Sequence, residues 1–164
     1  MTFTSARLGA AHETAQFECR NDALDRWLRE QALRAEQARV SATTAWTFIG
    51  ELTVVGFYSI SPTLLRRDEL PSRAMAGGYS DVPGYVLGRL ALDRSLQGKR
   101  LGSQLLFDAL ELIVSAADRG GGRVIVVDAI DDVARGFYEH HDFVPVGDSR
   151  RLIMKVATAQ RALR

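Results

Sequence analysis

The chain has 164 residues, 46% of them hydrophobic and 25% charged, with a formal net charge of +1. That is the composition of a soluble globular protein, and the length favours one domain over residues 1–164. A single cysteine, Cys19, excludes an internal disulfide and a cysteine-based zinc cluster, the bulk charge announces no nucleic-acid binder, and the absence of a signal-peptide pattern or a bilayer-length apolar run points to a cytoplasmic protein with no membrane partner.

"TFTSARL" alternates and reads as an opening strand. In "FECRNDALDRWLREQALRAEQARV", Asn21 or Asp22 is an N-cap, and Leu24, Trp27, Leu28, Ala32 and Ala35 recur at helical spacing. One amphipathic helix of several turns is expected. "TTAWTFIG" and "LTVVGFYSIS" read as two strands joined at Gly50-Glu51. From Pro62 to Pro83 the pattern breaks down into a long connection, with one short helix near Leu64 to Leu70. "YVLGRLAL" is a mostly apolar strand. A helix follows from Gly102 to Ala117, ended by Gly120 to Gly122. "RVIVVDAI" is continuously apolar and is expected in the centre of a sheet, covered on both faces. Asp131 or Asp132 caps a short helix through "VARGFYEHH", and "FVPV" and "RRLIMKVA" are closing strands. The order predicts a mixed α/β or α+β domain.

"LQGKRLGSQLL" sits between the apolar strand and the long helix. Free backbone N–H groups at a helix start, with about half a positive charge from the helix dipole, suit an anion. Gly98 and Gly102 leave the backbone bare, and Lys99 and Arg100 add charge. The stretch is neither a Walker loop nor a dinucleotide fingerprint. On these residues alone, phosphate binding and an ordinary soluble turn both stay open.

Gln97-Gly98-Lys99-Arg100-Leu101-Gly102 resembles the Gln/Arg-x-x-Gly-x-Gly/Ala loop of the GNAT superfamily of N-acetyltransferases. "AIDDVARGFYEHHDF" resembles a later segment of that superfamily, with Tyr138 at its tyrosine and Phe143 at its phenylalanine. Phe17, Cys19, Asn21, Leu24, Trp27 and Leu28 resemble the helix start of one branch, the acetyltransferase toxins of type II toxin–antitoxin systems. The resemblance runs from about Phe17 to Met154. It implies the GNAT fold, a central mixed sheet of about six to seven strands flanked by helices. It implies acetyl-CoA as co-substrate and no metal, with the pyrophosphate over Gln97, Gly98, Lys99, Arg100, Leu101, Gly102 and Ser103. It implies pantetheine pairing along Leu90, Ala91 and Leu92, and a cofactor contact at Asp131, where the superfamily often has Asn. It implies acetylation of the α-amino group of aminoacyl-tRNA, a block on translation, and a cognate small antitoxin, expected to be a ribbon-helix-helix protein. A homodimer is compatible with it.

The chain departs from the pattern at Arg100, which occupies a glycine position, and at Asp142, which stands before Phe143 where Gly is usual. Arg100 is expected to offer its backbone N–H to a phosphate only if its φ is negative. Asp tolerates a left-handed conformation better than most residues.

Acetyl transfer from a thioester needs a neutral amine and a proton for the departing thiolate. A tyrosine hydroxyl can supply that proton, and Tyr138 is the candidate general acid. Packing of Phe137-Tyr138 on a sheet is the plainer role for the same residues. No general base stands out: Asp93, Glu111, Glu139, His140 and His141 read as solvated charges or caps. An α-amine, with a pKa of about 7.7–8.0, leaves a neutral fraction near pH 7 that a lysine at about 10.4 does not. Phosphate contacts to a tRNA would come from Arg26, Arg29, Arg34 and Arg39, from Arg66, Arg67 and Arg73, or from Arg150 and Arg151. Two other readings compete: a stand-alone GNAT enzyme acting on a small-molecule or protein amine, and a catalytically dead acyl-CoA-binding module.

Overall fold

The computed structural model describes residues 2–164. Its elements in chain order are β1 (Phe3–Arg7), α1 (Asp22–Glu30), α2 (Ala32–Gln37), β2 (Ala42–Phe48), β3 (Gly56–Arg66), β4 (Asp81–Leu92), α3 (Leu101–Gly120), β5 (Val124–Asp128), α4 (Asp132–His140), β6 (Val144–Pro145), β7 (Arg151–Lys155) and α5 (Val156–Ala162). The strands run in the order β1-β2-β3-β4-β5-β7-β6. β4 and β5 pair in parallel, while β1–β2, β2–β3, β5–β7 and β6–β7 are antiparallel. This is the mixed α/β sheet that the order of elements predicts.

The chain divides into two compact units. The first comprises residues up to Ser61 together with Arg89–Asp108. Its core gathers Leu8, Phe17, Leu28, Phe57 and Ala91, with Leu24 and Trp27 packed against it. Leu24, Trp27 and Leu28 are apolar positions of the helical repeat, and burial removes such side chains from water at about 25 cal/mol per Å². Asn21 caps α1 by accepting the Leu24 N–H at 3.0 Å. The expected single helix is two, broken at Gln31, whose φ and ψ are −125° and −28°. Gln is a good helix former, so the sequence carries no sign of that break. Beyond it, Glu36 is buried, paired with Arg7 and accepting the Thr43 N–H at 3.2 Å.

The expected hairpin at Gly50-Glu51 is also altered. The chain turns there, with Gly50 at φ +81°, but Leu52 to Val55 do not join the ladder. Thr53 bridges to Glu13 instead, and β3 begins at Gly56 opposite Trp46. A Cβ on Gly56 would meet Leu92 Cδ2 at 3.0 Å, so glycine is what fits.

The second unit comprises Pro62–Gly88 and Ala109–Arg164. Leu65, Leu70, Val82, Val124, Val126 and Ile153 form its core. The long connection expected from Pro62 to Pro83 is shorter than that. β3 runs through Pro62 to Arg66 and β4 starts at Asp81. Pro62 is exposed, where a missing N–H is tolerated. The expected helix near Leu64 to Leu70 is a 3-10 turn over Arg67–Glu69, and a second turn covers Arg73–Ala76. β5 is buried from Val124 to Val127, as a continuous apolar run requires. The closing strand stops at Lys155, and α5 follows it. No side-chain cap marks that start, so the helix was not legible. No helix among the described residues is long and apolar enough to cross a membrane.

Candidate active site

The proposed cofactor loop lies wholly in the first unit. β4 ends with Leu90 half-buried and Ala91 and Leu92 buried. Asp93 then fixes the exit. Its N–H reaches Val55 O at 2.8 Å, and its carboxylate accepts the Glu18 N–H at 2.9 Å and the Ser95 hydroxyl at 2.6 Å. Burial opposes its charge, but the bonds from Ser95 and Glu18, with Arg94 nearby, hold its pKa below the ordinary value. Asp93 is a brace, and a weak base. After a 3-10 turn over Arg94–Leu96 comes Gln97, whose amide donates to Cys19 O at 2.9 Å and Leu92 O at 3.0 Å and accepts Arg20 Nε at 3.1 Å.

Gly98, Lys99 and Arg100 are exposed, and Leu101, Gly102 and Ser103 open α3 half-buried. Gly98 takes φ +77°, which a side chain rarely adopts. Arg100 takes φ +61°, so the negative φ required of it on the sequence reading is not met. The reason is that Arg100 adopts the left-handed conformation a glycine would take at that position, at a steric cost of about 1–2 kcal/mol. Neither Lys99 nor Arg100 is in an ion pair among the described residues. An exposed loop with two unpaired cations, feeding a 20-residue helix, fits the pyrophosphate of acetyl-CoA.

Trp27 holds a further cation in this unit. The Arg89 guanidinium lies 3.8 Å from its ring centroid, and the ring stacks on Phe57 at 6.1 Å. Sequence reasoning passed over Arg89, because an arginine inside an apolar strand gives no sign of which ring it will meet.

Tyr138 lies in the second unit, on α4. Asp131 is the N-cap of this helix, accepting the Ala134 N–H at 2.8 Å. At the other end Asp142 takes φ +69°, the conformation allowed to it in place of glycine. The Tyr138 ring packs edge-on against Phe137 at 5.3 Å and Phe143 at 5.4 Å. No group among the described residues hydrogen-bonds its hydroxyl. Burial pushes its pKa up to about 12. His141 is shifted down, by burial first and by His140 second, against an opposing pull from Asp142.

The arginines divide. Arg150 faces Asp132 at 3.5 Å and Arg151 is bidentate on Asp128 at 2.9 and 3.0 Å, so both are engaged. Arg66, Arg67 and Arg73 line a concavity of about 390 Å³ with Ser72 and Ser80. Among the described residues only Arg66 of these is ion-paired, to exposed Asp68 at 3.4 Å.

The profile of the acetyltransferase (GNAT) family matches residues 10–143. The chain belongs to that family. It is an N-acetyltransferase that uses acetyl-CoA. It is similar to a tRNA-acetylating toxin of Mycobacterium tuberculosis (strain ATCC 25618 / H37Rv), at 37% identity over 137 residues, covering 84% of this chain and 81% of that protein. Among solved structures, AtaT complexed with acetyl-methionyl-tRNAfMet matches with a TM-score of 0.90 at 25% identity, covering 99% of this chain and 100% of that one. A mutant of KacT matches with a TM-score of 0.92 at 22% identity, covering 99% of each chain, and supports the fold.

Proposed function

We propose that this GNAT acetyltransferase acetylates the α-amino group of aminoacyl-tRNA and so blocks translation, acting as the toxin of a toxin–antitoxin pair. The observation that carries the reading is the 37% identity to a tRNA-acetylating toxin over 84% of the chain. The solved complex of AtaT with acetyl-methionyl-tRNAfMet, at 25% identity, supports it.

The residues take these roles. Backbone N–H groups of Gly98, Lys99 and Leu101 to Ser103, with the Lys99 ammonium and the Arg100 guanidinium, hold the pyrophosphate. Leu90, Ala91 and Leu92 offer backbone groups to the pantetheine arm. Asp131 is engaged as a cap, and any contact it makes with the cofactor uses its second oxygen. Acetyl-CoA supplies an activated acyl group as a thioester. Tyr138 gives its hydroxyl proton to the departing sulfur as the carbonyl carbon forms its bond to the amine nitrogen and loses its bond to sulfur. The proton shed by the amine passes to water, from which Tyr138 is recharged. A hydroxyl with a pKa of about 12 stays protonated through the range in which an α-amine of about 7.7–8.0 becomes neutral.

The arginine-lined concavity supplies phosphate contacts at a net charge of only +1. The whole chain acts as one catalytic domain in the cytoplasm. A small antitoxin of the ribbon-helix-helix type, and pairing of two copies of the toxin, complete the proposal. The test is mass spectrometry of tRNA-linked amino acids after incubation with acetyl-CoA. N-acetylated aminoacyl ends are expected. Acetylation of free amino acids or polyamines at equal efficiency, with none on tRNA, overturns the reading.

A further inference from the structure

Arg89 is half-buried on β4, immediately before Leu90, and its guanidinium is stacked on Trp27 at 3.8 Å. The Trp27 ring is in turn backed by Phe57, with the two planes 16° apart. The guanidinium is therefore held flat and cannot sample the freedom of a surface arginine. No carboxylate pairs with it, and no acceptor takes its N–H groups, among the described residues. Partial burial lowers its pKa from the ordinary value. Five donors in a rigid planar fork, without an internal partner, are suited to an oxyanion from outside. Its donors remain open to solvent and so to an incoming anion.

The position on the strand says which oxyanion. β4 leads through Asp93 to the loop at Gln97 to Ser103. A pantetheine arm laid along Leu92 to Leu90 runs back from that loop, so its acyl end comes toward Arg89. The attacking amine must arrive at that same end. On an aminoacyl-tRNA the amino acid is esterified to the terminal adenosine, and the nearest anion to the amine is that nucleoside's 5′ phosphate. A free amino acid or a polyamine has no phosphate there.

We propose that Arg89, held by Trp27, grips the phosphate of the terminal aminoacyl nucleotide and so selects aminoacyl-tRNA over acceptors lacking that phosphate. This rests on the function proposed above and adds a residue to it.

The experiment compares two acceptors carrying the same amino acids. One is a pool of aminoacylated tRNA. The other is the 3′-aminoacyl-adenosine released from that pool by ribonuclease A, which leaves a 5′ hydroxyl in place of the phosphate. The readout is the ratio of kcat/KM on tRNA to kcat/KM on the nucleoside ester. In Arg89→Gln this ratio should fall about 10- to 100-fold, the scale of a lost charge-assisted hydrogen bond. Arg89→Lys, which keeps the charge but not the fork, should lie between. An unchanged ratio in Arg89→Gln overturns the proposal. So does an equal loss on both acceptors with weaker acetyl-CoA binding by calorimetry, which would move Arg89 to the cofactor. If Arg89→Gln does not fold, the ratio in Arg89→Lys and in Trp27→Phe decides, and wild-type ratios in both overturn it. Failure of the wild-type protein to acetylate either acceptor is a different result, and it overturns the proposed function itself.

Discussion

The backbone N–H of Phe143 donates to the carbonyl of Tyr138 at 3.1 Å, and the two rings meet edge-on at 5.4 Å. The chain leaves α4 through Asp142 at φ +69° and returns to pack on the residue proposed as the acid. Packing and hydroxyl are thus separable. Tyr138→Phe should keep the ring contacts, the fold and acetyl-CoA affinity, and should lower turnover by about 10²-fold or more. Near-normal turnover would return Tyr138 to a packing role.

The pH profile follows from the same burial. Activity should rise as the α-amine loses its proton near pH 7.7–8.0. It should not fall again until the hydroxyl titrates, toward its raised pKa of about 12. A descending limb centred below pH 10 in kcat, absent from Tyr138→Phe, would show that the working pKa is not raised.

Gln97 joins Cys19 O, Leu92 O and Arg20 through one side chain. Gln97→Leu leaves two part-buried carbonyls without a donor and should cost about 1–3 kcal/mol. Acetyl-CoA binding should weaken with it, because the loop loses its brace. Thermal melts and calorimetry on one preparation check both, and unchanged values in each would show that the loop holds itself.

Arg100 combines a charge with a glycine's conformation. Arg100→Gly relieves about 1–2 kcal/mol of left-handed strain but adds unfolded-state freedom of about 0.5–1 kcal/mol, so stability should change little. Acetyl-CoA affinity should fall if the guanidinium holds a phosphate. Lys99→Glu with Arg100→Glu should lower it further. Calorimetry showing wild-type affinity in both would refute the loop assignment.

Cys19 is buried, and burial pushes its thiol up to about 12, helped by its bond to Asp25. The neutral form is favoured in the fold, so this stabilisation is complete below the unfolded value and is lost as pH rises toward 12. Iodoacetamide at pH 8 should label the native protein far more slowly than the denatured one. Equal rates would show that Cys19 is open to solvent.

Much of this was legible because period and punctuation agreed. The strand at Val124, the helix after Gly98 and the cap at Asp131 each carry a local sign. The break at Gln31, the strand through Pro62 and the helix at Val156 do not. Each depends on what the segment packs against. At the candidate site, the loop's place between a strand and a long helix was readable, but Gln97's partners were not. A side chain that reaches a carbonyl 78 residues away leaves no trace in its own neighbourhood.

That separation has a bearing on how the protein comes into being. Residues 17–20 leave the ribosome long before Asp93 and Gln97, which tie them to the loop at Glu18, Cys19 and Arg20. Contacts so distant along the chain form late, after the entropy of closing the intervening loop has been met. A chain that ends before Asp93 therefore lacks the groups that tie residues 18–20 to the loop. Under the function proposed above, that order keeps each copy from holding its co-substrate until synthesis has passed Gln97.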